Sequence, residues 1–548
     1  MSTINRKNFT WIGLILILTI SGVSNYHWLR SDNTPSSGCD SNAHLYNSLI
    51  FFYRLSDIVS NPSFTFWSKI REIFNLMIMH PKDFHEAWSF GWPYFTYLTS
   101  SIFNLFLGNS LFVTRLSMTL WFFILIVSTY FLGKEIADPL TGLLSAFIVS
   151  IYPPLFVNSR LYGLDFPLTS IVTLSMLFLI LCKNFSERKY SIFLGICAGI
   201  GMLIKLQYLL FLILPLTIVL LKMFSENHRK NRVLNFSFFL LLSISISSLW
   251  WGNKIPHLFE ELISIHNTPP PSEKILMEYW EHPLLWYILR TAGSAGIFLF
   301  ILLIISTIFF VLSKTKYKQI ILSWIFFPYL IFPLVTPDRW SRYLLPVFPA
   351  MGLISSWGIS KISIPKYKIS VLSVVVIFGL LQFISISFNQ TQSLPVFKKL
   401  KEDVVLEART DCRMVDRKIK ELVEIFLRNN PHKNSIRVGI ISLSTIDIPS
   451  NLLYLLRLEE RRILPISLHW WTNQFLRELP SMEFILFVCP QTHGLKWPDT
   501  IKKCRNRFVL VDSLSYKEKE EDYEEWYRYF VYQNLTTRKN KENLKSTP

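Results

Sequence analysis

Two acids and a scatter of cations stand where long apolar runs begin or end. Asp40 lies in SGCDSNAHLYNSL, with His44 four residues later. Arg160 and Asp165 share the stretch VNSRLYGLDFPLTSIV, between two apolar runs. Lys205 interrupts GMLIKLQYLL, and Arg339, Arg342 and Tyr343 fall in PDRWSRYLLPVFPAMG. A carboxylate can take a proton from a nucleophile, while guanidinium and ammonium groups can hold phosphate oxygens and stabilise a departing phosphate. Gathered on one face of one membrane domain, these residues suit a reaction on a lipid-linked phosphate. Each also has a plainer use. Asp40 and Asp165 stand where helices could start, so either could be an N-cap, and Pro167 fits that use of Asp165. His44 alone suits packing as well as ligation, and the arginines could be interfacial anchors.

The elements that carry these residues are membrane spans. Of 548 residues, 51% are hydrophobic and only 17% charged, against about 25% charged in soluble domains. Apolar runs of about twenty residues, enough to cross roughly 30 Å of hydrocarbon, recur through the first 390 positions. Spans are placed at about 9–29, 112–132, 142–159, 166–182, 191–204, 207–223, 234–252, 292–312, 320–336, 343–360 and 368–388, eleven in all. The run from Trp11 to Val23 is read as an uncleaved first span; a signal peptide cut near SGVSN is the alternative.

Charge orients the spans. Alternate loops carry Arg6 and Lys7; Lys134; Lys183, Arg188 and Lys189; Lys222, Arg229, Lys230 and Arg232; Lys314, Lys316 and Lys318; and Lys361, Lys366 and Lys368. The short turns between them hold only Arg160, Lys205, Arg339 and Arg342. By the positive-inside rule the N-terminus is cytoplasmic. Asp40, Asp165, the loops 30–111 and 253–291, the turn 336–343 and everything after about 389 are then extracytoplasmic. The net charge of +18 reflects this bias, so no nucleic-acid partner is expected.

Three regions follow: a membrane domain over 1–390, an extracytoplasmic α/β domain over 391–535 and a disordered tail over 536–548. Within the outer loop, 44–59 and 91–109 read as interfacial helices. In the second domain SIRVGIIS, EFILFVC and RFVLVDS read as buried strands separated by helices such as IPSNLLYLLRLEE, which predicts a mainly parallel sheet. KEKEEDYEEWYRYF reads as a charged surface helix. Of the six cysteines, Cys182 and Cys197 are expected to be packed in or beside spans, and a Cys489–Cys504 bridge is allowed on the outer side.

The pattern resembles the GT-C membrane glycosyltransferases, in the branch of protein O-mannosyltransferases and lipid A aminoarabinose transferases. The resemblance rests on Asp40 early in the first outer loop, on the rhythm of 91–182, and on RWSRYLLPVFPA, similar to an R-Y-x-x-P-x-x-P element. It covers about 35–360. It implies an inverting transfer of a hexose or pentose from a polyprenyl-phosphate donor to a hydroxyl on a glycan, lipid or protein, on the outer face of the inner (plasma) membrane. Asp40 would be the general base and Asp165 the second acid of the pocket. Arg160, Lys205, Arg339, Arg342 and Tyr343 would meet the donor phosphate. The chain departs from the family in having Ser41 after Asp40 and GWP in place of HPP; Glu86 stands as a substitute second acid. Some branches of the superfamily use a divalent ion and others need none. His44, His80, His85 and Glu86 could form such a site, but none is assigned. The alternative functions are a transporter or flippase, an oligosaccharide ligase, and a non-catalytic scaffold for envelope glycolipid. A transporter would place charges at the midplane of paired, broken halves, and no internal repeat is evident.

Overall fold

The computed structural model describes residues 3–35, 39–78, 92–225, 229–252, 254, 283–335, 341–387, 417–431, 434–442, 447–461, 463–467, 482–490, 508–520 and 523–534. Some side chains at element ends, those of Cys39 and Asp40 among them, lie outside that description. So do the predicted tail and the Cys489–Cys504 bridge.

The first part of the chain is helical: α1 (Thr3–Arg30), α2 (Cys39–Ser60), α3 (Phe66–Ile78), α4 (Phe95–Leu107), α5 (Leu111–Ile136), α6 (Pro139–Ile151), α7 (Pro153–Asn158), α8 (Asp165–Leu181), α9 (Arg188–Met202), α10 (Tyr208–Ser225) and α11 (Arg229–Trp251). Further helices cover Pro283–Ala295, Ile297–Leu312, Lys318–Val335, Phe348–Lys361 and Pro365–Ser387, with a 3-10 segment at Ser341–Val347. Among the described residues six helices are long and apolar enough to cross a membrane, and a bent pair makes a seventh. Shorter apolar helices, including α6, α8 and Lys318–Leu334, stand where further spans were placed. Rows of exposed apolar side chains, such as Ile12, Ile15 and Leu16 on α1 and Ile308, Phe309 and Leu312 farther on, are what a lipid-facing perimeter requires. The chain is a multi-pass membrane protein.

Local chemistry sets the breaks. Ser110 accepts the Val113 amide to cap α5, and Asp138 accepts that of Thr141 to cap α6, with Pro139 at the first position. The predicted span 142–159 is two pieces, because Tyr152 precedes Pro153 and is pushed to an extended backbone. The predicted span 292–312 breaks at Gly296, whose φ of 82° a side chain would resist. The helices on either side of it meet at 118°.

The last part folds around a five-stranded sheet ordered β2-β1-β3-β5-β4, from β1 (Ile436–Ser442), β2 (Ile463–Ser467), β3 (Phe484–Pro490), β4 (Phe508–Glu520) and β5 (Tyr523–Asn534). Helices Ile419–Asn429 and Asp447–Glu459 accompany it. The sheet is mixed, correcting the mainly parallel expectation: β1 pairs parallel with β2 and β3, but β5 runs antiparallel to both β3 and β4. The stretch predicted as a surface helix falls on the end of β4 and most of β5. Its Glu and Lys residues favour helix, yet Tyr527, Tyr529 and Val531 recur every second residue, and Tyr529 and Val531 are buried. Strand alternation with aromatic burial prevails over local helix propensity.

The two parts share α2. Leu45, Leu49 and Phe52 belong to the large helical core, whereas Tyr46 and Ile50 belong to the core of the sheet. Tyr53 donates from its hydroxyl to the Arg457 carbonyl at 2.9 Å, and Arg461 pairs with Asp57. Thus α2, predicted as interfacial, is enclosed by protein. It is the neighbouring α3 that carries exposed Phe66, Trp67, Ile70 and Phe74.

Candidate active site

Asp165 is the first residue of α8, and Leu164 holds the cap position with no side-chain bond. The Asp165 carboxylate is therefore available for something other than capping. Lys205, in the turn between α9 and α10, places Nζ 2.5 Å from Asp165 Oδ1. Arg342, in the 3-10 segment, brings Nε to 3.6 Å from Oδ2. The three side chains are 14%, 7% and 15% exposed. This is a partly desolvated group of two cations and an acid. Water weakens its field little.

Aromatic rings wall the group. Lys205 Nζ lies 4.9 Å from the Tyr343 ring centroid and 5.6 Å from that of Trp92, within range for cation–π attraction. The His44 ring meets Trp92 edge-on at 5.7 Å. His44 Nδ1 and the Tyr97 hydroxyl are 2.8 Å apart, and His44 is close enough to act electrostatically on Asp165. Behind it, hydroxyls of Ser48, Ser100 and Tyr162 are linked at 2.7 Å each. This polar ladder fixes α2 against α4, and so fixes the helix that carries residue 40.

Residues 88–251 match the family model described as dolichyl-phosphate-mannose-protein mannosyltransferase. No curated protein sequence matches the chain. The crystal structure of ArnT from Cupriavidus metallidurans in the apo state superposes with a TM-score of 0.58 at 13% identity, over 96% of this chain and 98% of that one. The same protein bound to undecaprenyl phosphate gives 0.58 at 12% identity, over 95% and 97%. Archaeal oligosaccharyltransferase AglB from Archaeoglobus fulgidus, in complex with an inhibitory peptide and a dolichol-phosphate, gives 0.50 at 10%, over 86% and 69%. The chain thus shares the fold of the ArnT structures over nearly its whole length.

Lys205, Arg342 and Tyr343 come together with Asp165. Arg160 has a different task from the phosphate contact expected of it. The residue is 1% exposed, and its guanidinium donates to Asn25 Oδ1 at 3.0 Å, Ser24 Oγ at 3.1 Å and Ser387 Oγ at 2.9 Å. The rings of Trp28, Phe156 and Phe383 surround it. It ties α1 and the helix Pro365–Ser387 to the end of α7.

Beside it lies a pair that sequence reading missed. Arg115 Nη1 is 2.7 Å from Asp32 Oδ2, with side chains 2% and 0% exposed. Arg115 Nε also donates to the Arg160 carbonyl at 2.9 Å. A charge inside the apolar run LFVTRLSMTLWFF was the available signal.

Residue 40 stands in the first turn of α2, its side chain outside the described set. The next residue locates that turn: a methyl added to Gly163 would lie 4.0 Å from Ser41 Oγ. The start of α2 thus borders the loop that leads into Asp165. His80, His85, Glu86 and Arg339 lie outside the described residues. Among the described residues no three His, Cys, Asp or Glu side chains converge as metal ligands. A cavity of about 1370 Å³ opens between the end of α1, the α4–α5 junction and the helices beside the sheet, with Tyr26, Arg30, Phe112, Lys420, Glu424 and Leu458 among its walls.

Proposed function

We propose that this protein is an inverting glycosyltransferase that moves a sugar from a polyprenyl-phosphate donor to an acceptor hydroxyl on the extracytoplasmic face of the inner membrane. The observation that carries the reading is the Asp165–Lys205–Arg342 group, two cations and an acid brought together at the end of apolar helices and inside aromatic walls. Such a site favours the phosphate of a lipid-linked donor. The undecaprenyl phosphate of the ArnT structure and the dolichol-phosphate of the AglB structure are ligands of that class.

In this mechanism Lys205 and Arg342 hold the donor phosphate, and Arg339 lies three residues from Arg342 to assist. Asp165 keeps the two cations in place. Already stabilised as an anion by both, it is a poor proton acceptor, so the base is Asp40. The acceptor oxygen attacks the anomeric carbon from the face opposite the phosphate, and the C1–O bond to phosphate breaks. The electron pair leaves with polyprenyl phosphate, whose developing charge the two cations offset. The acceptor proton passes to the Asp40 carboxylate. The acceptor enters through the cavity between the helices and the sheet.

The test is Asp40→Asn in the full chain, with mass spectrometry of envelope glycans and glycolipids. The expected result is loss of one sugar addition, as in cells lacking the protein, while the purified variant binds undecaprenyl phosphate like the wild type. An unchanged glycan profile in both strains overturns the reading in favour of a scaffold.

A further inference from the structure

At the end of α8 away from Asp165, the basic loops that orient the protein converge. Its 17 residues put the two ends about 25 Å apart at 1.5 Å per residue. There a cavity of about 380 Å³ is lined, among the described residues, by ten, of which four are cations and none is acidic. Lys183 follows α8, Lys222 is near the end of α10, Arg232 is near the start of α11, and Lys316 precedes the helix Lys318–Val335. Lys222 and Arg232 are half-buried, whereas Lys183 and Lys316 are exposed. Among the described residues two acids stand beside the lining, and both are engaged: Glu187 with Lys183 at 3.4 Å, and Glu135 with the Tyr317 hydroxyl at 3.4 Å.

The loop over this cavity is built against its own preference. Lys183, Asn184 and Phe185 have φ of 48°, 56° and 61°, three successive side-chain-bearing residues in the left-handed region. Packing holds them there. Phe185 is buried against Phe236 and Phe239, Asn235 donates to the Phe185 carbonyl at 2.9 Å, and Arg232 donates to that of Asn184 at 3.1 Å. Strain persists where the surroundings over-determine it, and such places are often functional. The carboxyl-terminal dipoles of α8 and α10 offset part of the positive charge, but topology alone does not require that four cations from three connections share one cavity. Leu221 and Phe224, on either side of Lys222 on α10, are 67% and 52% exposed and mark an adjoining lipid-facing surface.

We infer that this cavity binds a phosphate group, supplied by an anionic phospholipid whose chains lie along α10. The site is separate from the proposed glycosyl transfer and does not depend on it. Its chemistry is phosphate oxygens between Lys222, Arg232 and the two rim lysines.

The experiment is thermal unfolding of the full-length protein in neutral detergent, with phosphatidylglycerol, phosphatidylcholine or inorganic phosphate added, alongside native mass spectrometry of retained lipid. Phosphatidylglycerol alone should stabilise and be retained. Lys222→Gln with Lys316→Gln should weaken its binding about 30-fold, and Lys316→Gln alone, outside any helix, about 5-fold. Equal stabilisation by inorganic phosphate, lost in the double variant, would support the phosphate site and overturn the lipid as its source. Equal stabilisation by phosphatidylcholine, no stabilisation by any additive, or binding unchanged in Lys316→Gln would overturn the site itself. Should the double variant not fold, Lys316→Gln decides.

Discussion

Two charged groups lie near the same ends of the helices and differ in one respect. The Asp32–Arg115 pair, with Arg160 beside it, is closed: 0–2% exposed, with its polar partners supplied from within the protein. The Asp165–Lys205–Arg342 group is 7–15% exposed, and two cations approach one carboxylate beside aromatic rings. The first group is sealed between helices; the second keeps access for a ligand. A charge at a membrane boundary is therefore not a binding residue by virtue of its type or depth. What decides is whether it stays accessible.

The largest effect should come from breaking the closed group. Arg115→Met leaves Asp32 buried without its cation, a loss of about 3–5 kcal/mol. Thermal unfolding in detergent should show a clearly lowered midpoint, whereas Lys205→Met should lower it far less. Next, Lys205→Met and Arg342→Gln should each weaken undecaprenyl phosphate binding at least about 10-fold, the value of one charge-assisted hydrogen bond, as read by titration of the purified protein. Asp165→Asn sharpens the contrast in the other direction. With the carboxylate neutralised, both cations gain attraction for an anion, so phosphate binding should hold or tighten a few-fold. Transfer should still fall, because the cations are no longer oriented. Equal loss of binding and transfer would instead make Asp165 a direct ligand. The smallest effect belongs to Arg461→Ala. Its pair with Asp57 is about half exposed, and such pairs contribute about 0–1 kcal/mol, so the unfolding midpoint should barely move.

Much of this was legible in the sequence. Long apolar runs located the helices, and α2 and α4 appeared where HLYNSLIFFYRLSDIV and GWPYFTYLTSSIFNLFLGN read as helical. The strands SIRVGIIS and EFILFVC came from short apolar runs between polar ones. Two kinds of information were not local. The β4–β5 hairpin has a helix-favouring composition, and only pairing with β3 buries Tyr529 and Val531. Arg160 looked like Lys205, a cation beside an apolar run. Its acceptors Asn25 and Ser387 are 135 and 227 residues away in the chain, so nothing nearby announced that it was satisfied. The grouping of Asp165 with Lys205 and Arg342 was foreseeable as shared sidedness, but not as ion pairs 2.5 Å and 3.6 Å long. The enclosure of α2 by the sheet likewise needed the whole chain.

The most direct measurement is undecaprenyl phosphate affinity, taken side by side for the wild type, Lys205→Met and Arg160→Met, scored on folded protein only. The account requires that Lys205→Met lose at least about 10-fold while folded Arg160→Met binds within a few-fold of the wild type. Wild-type affinity in Lys205→Met, with loss in Arg160→Met, would contradict it and move the headgroup site to the closed group.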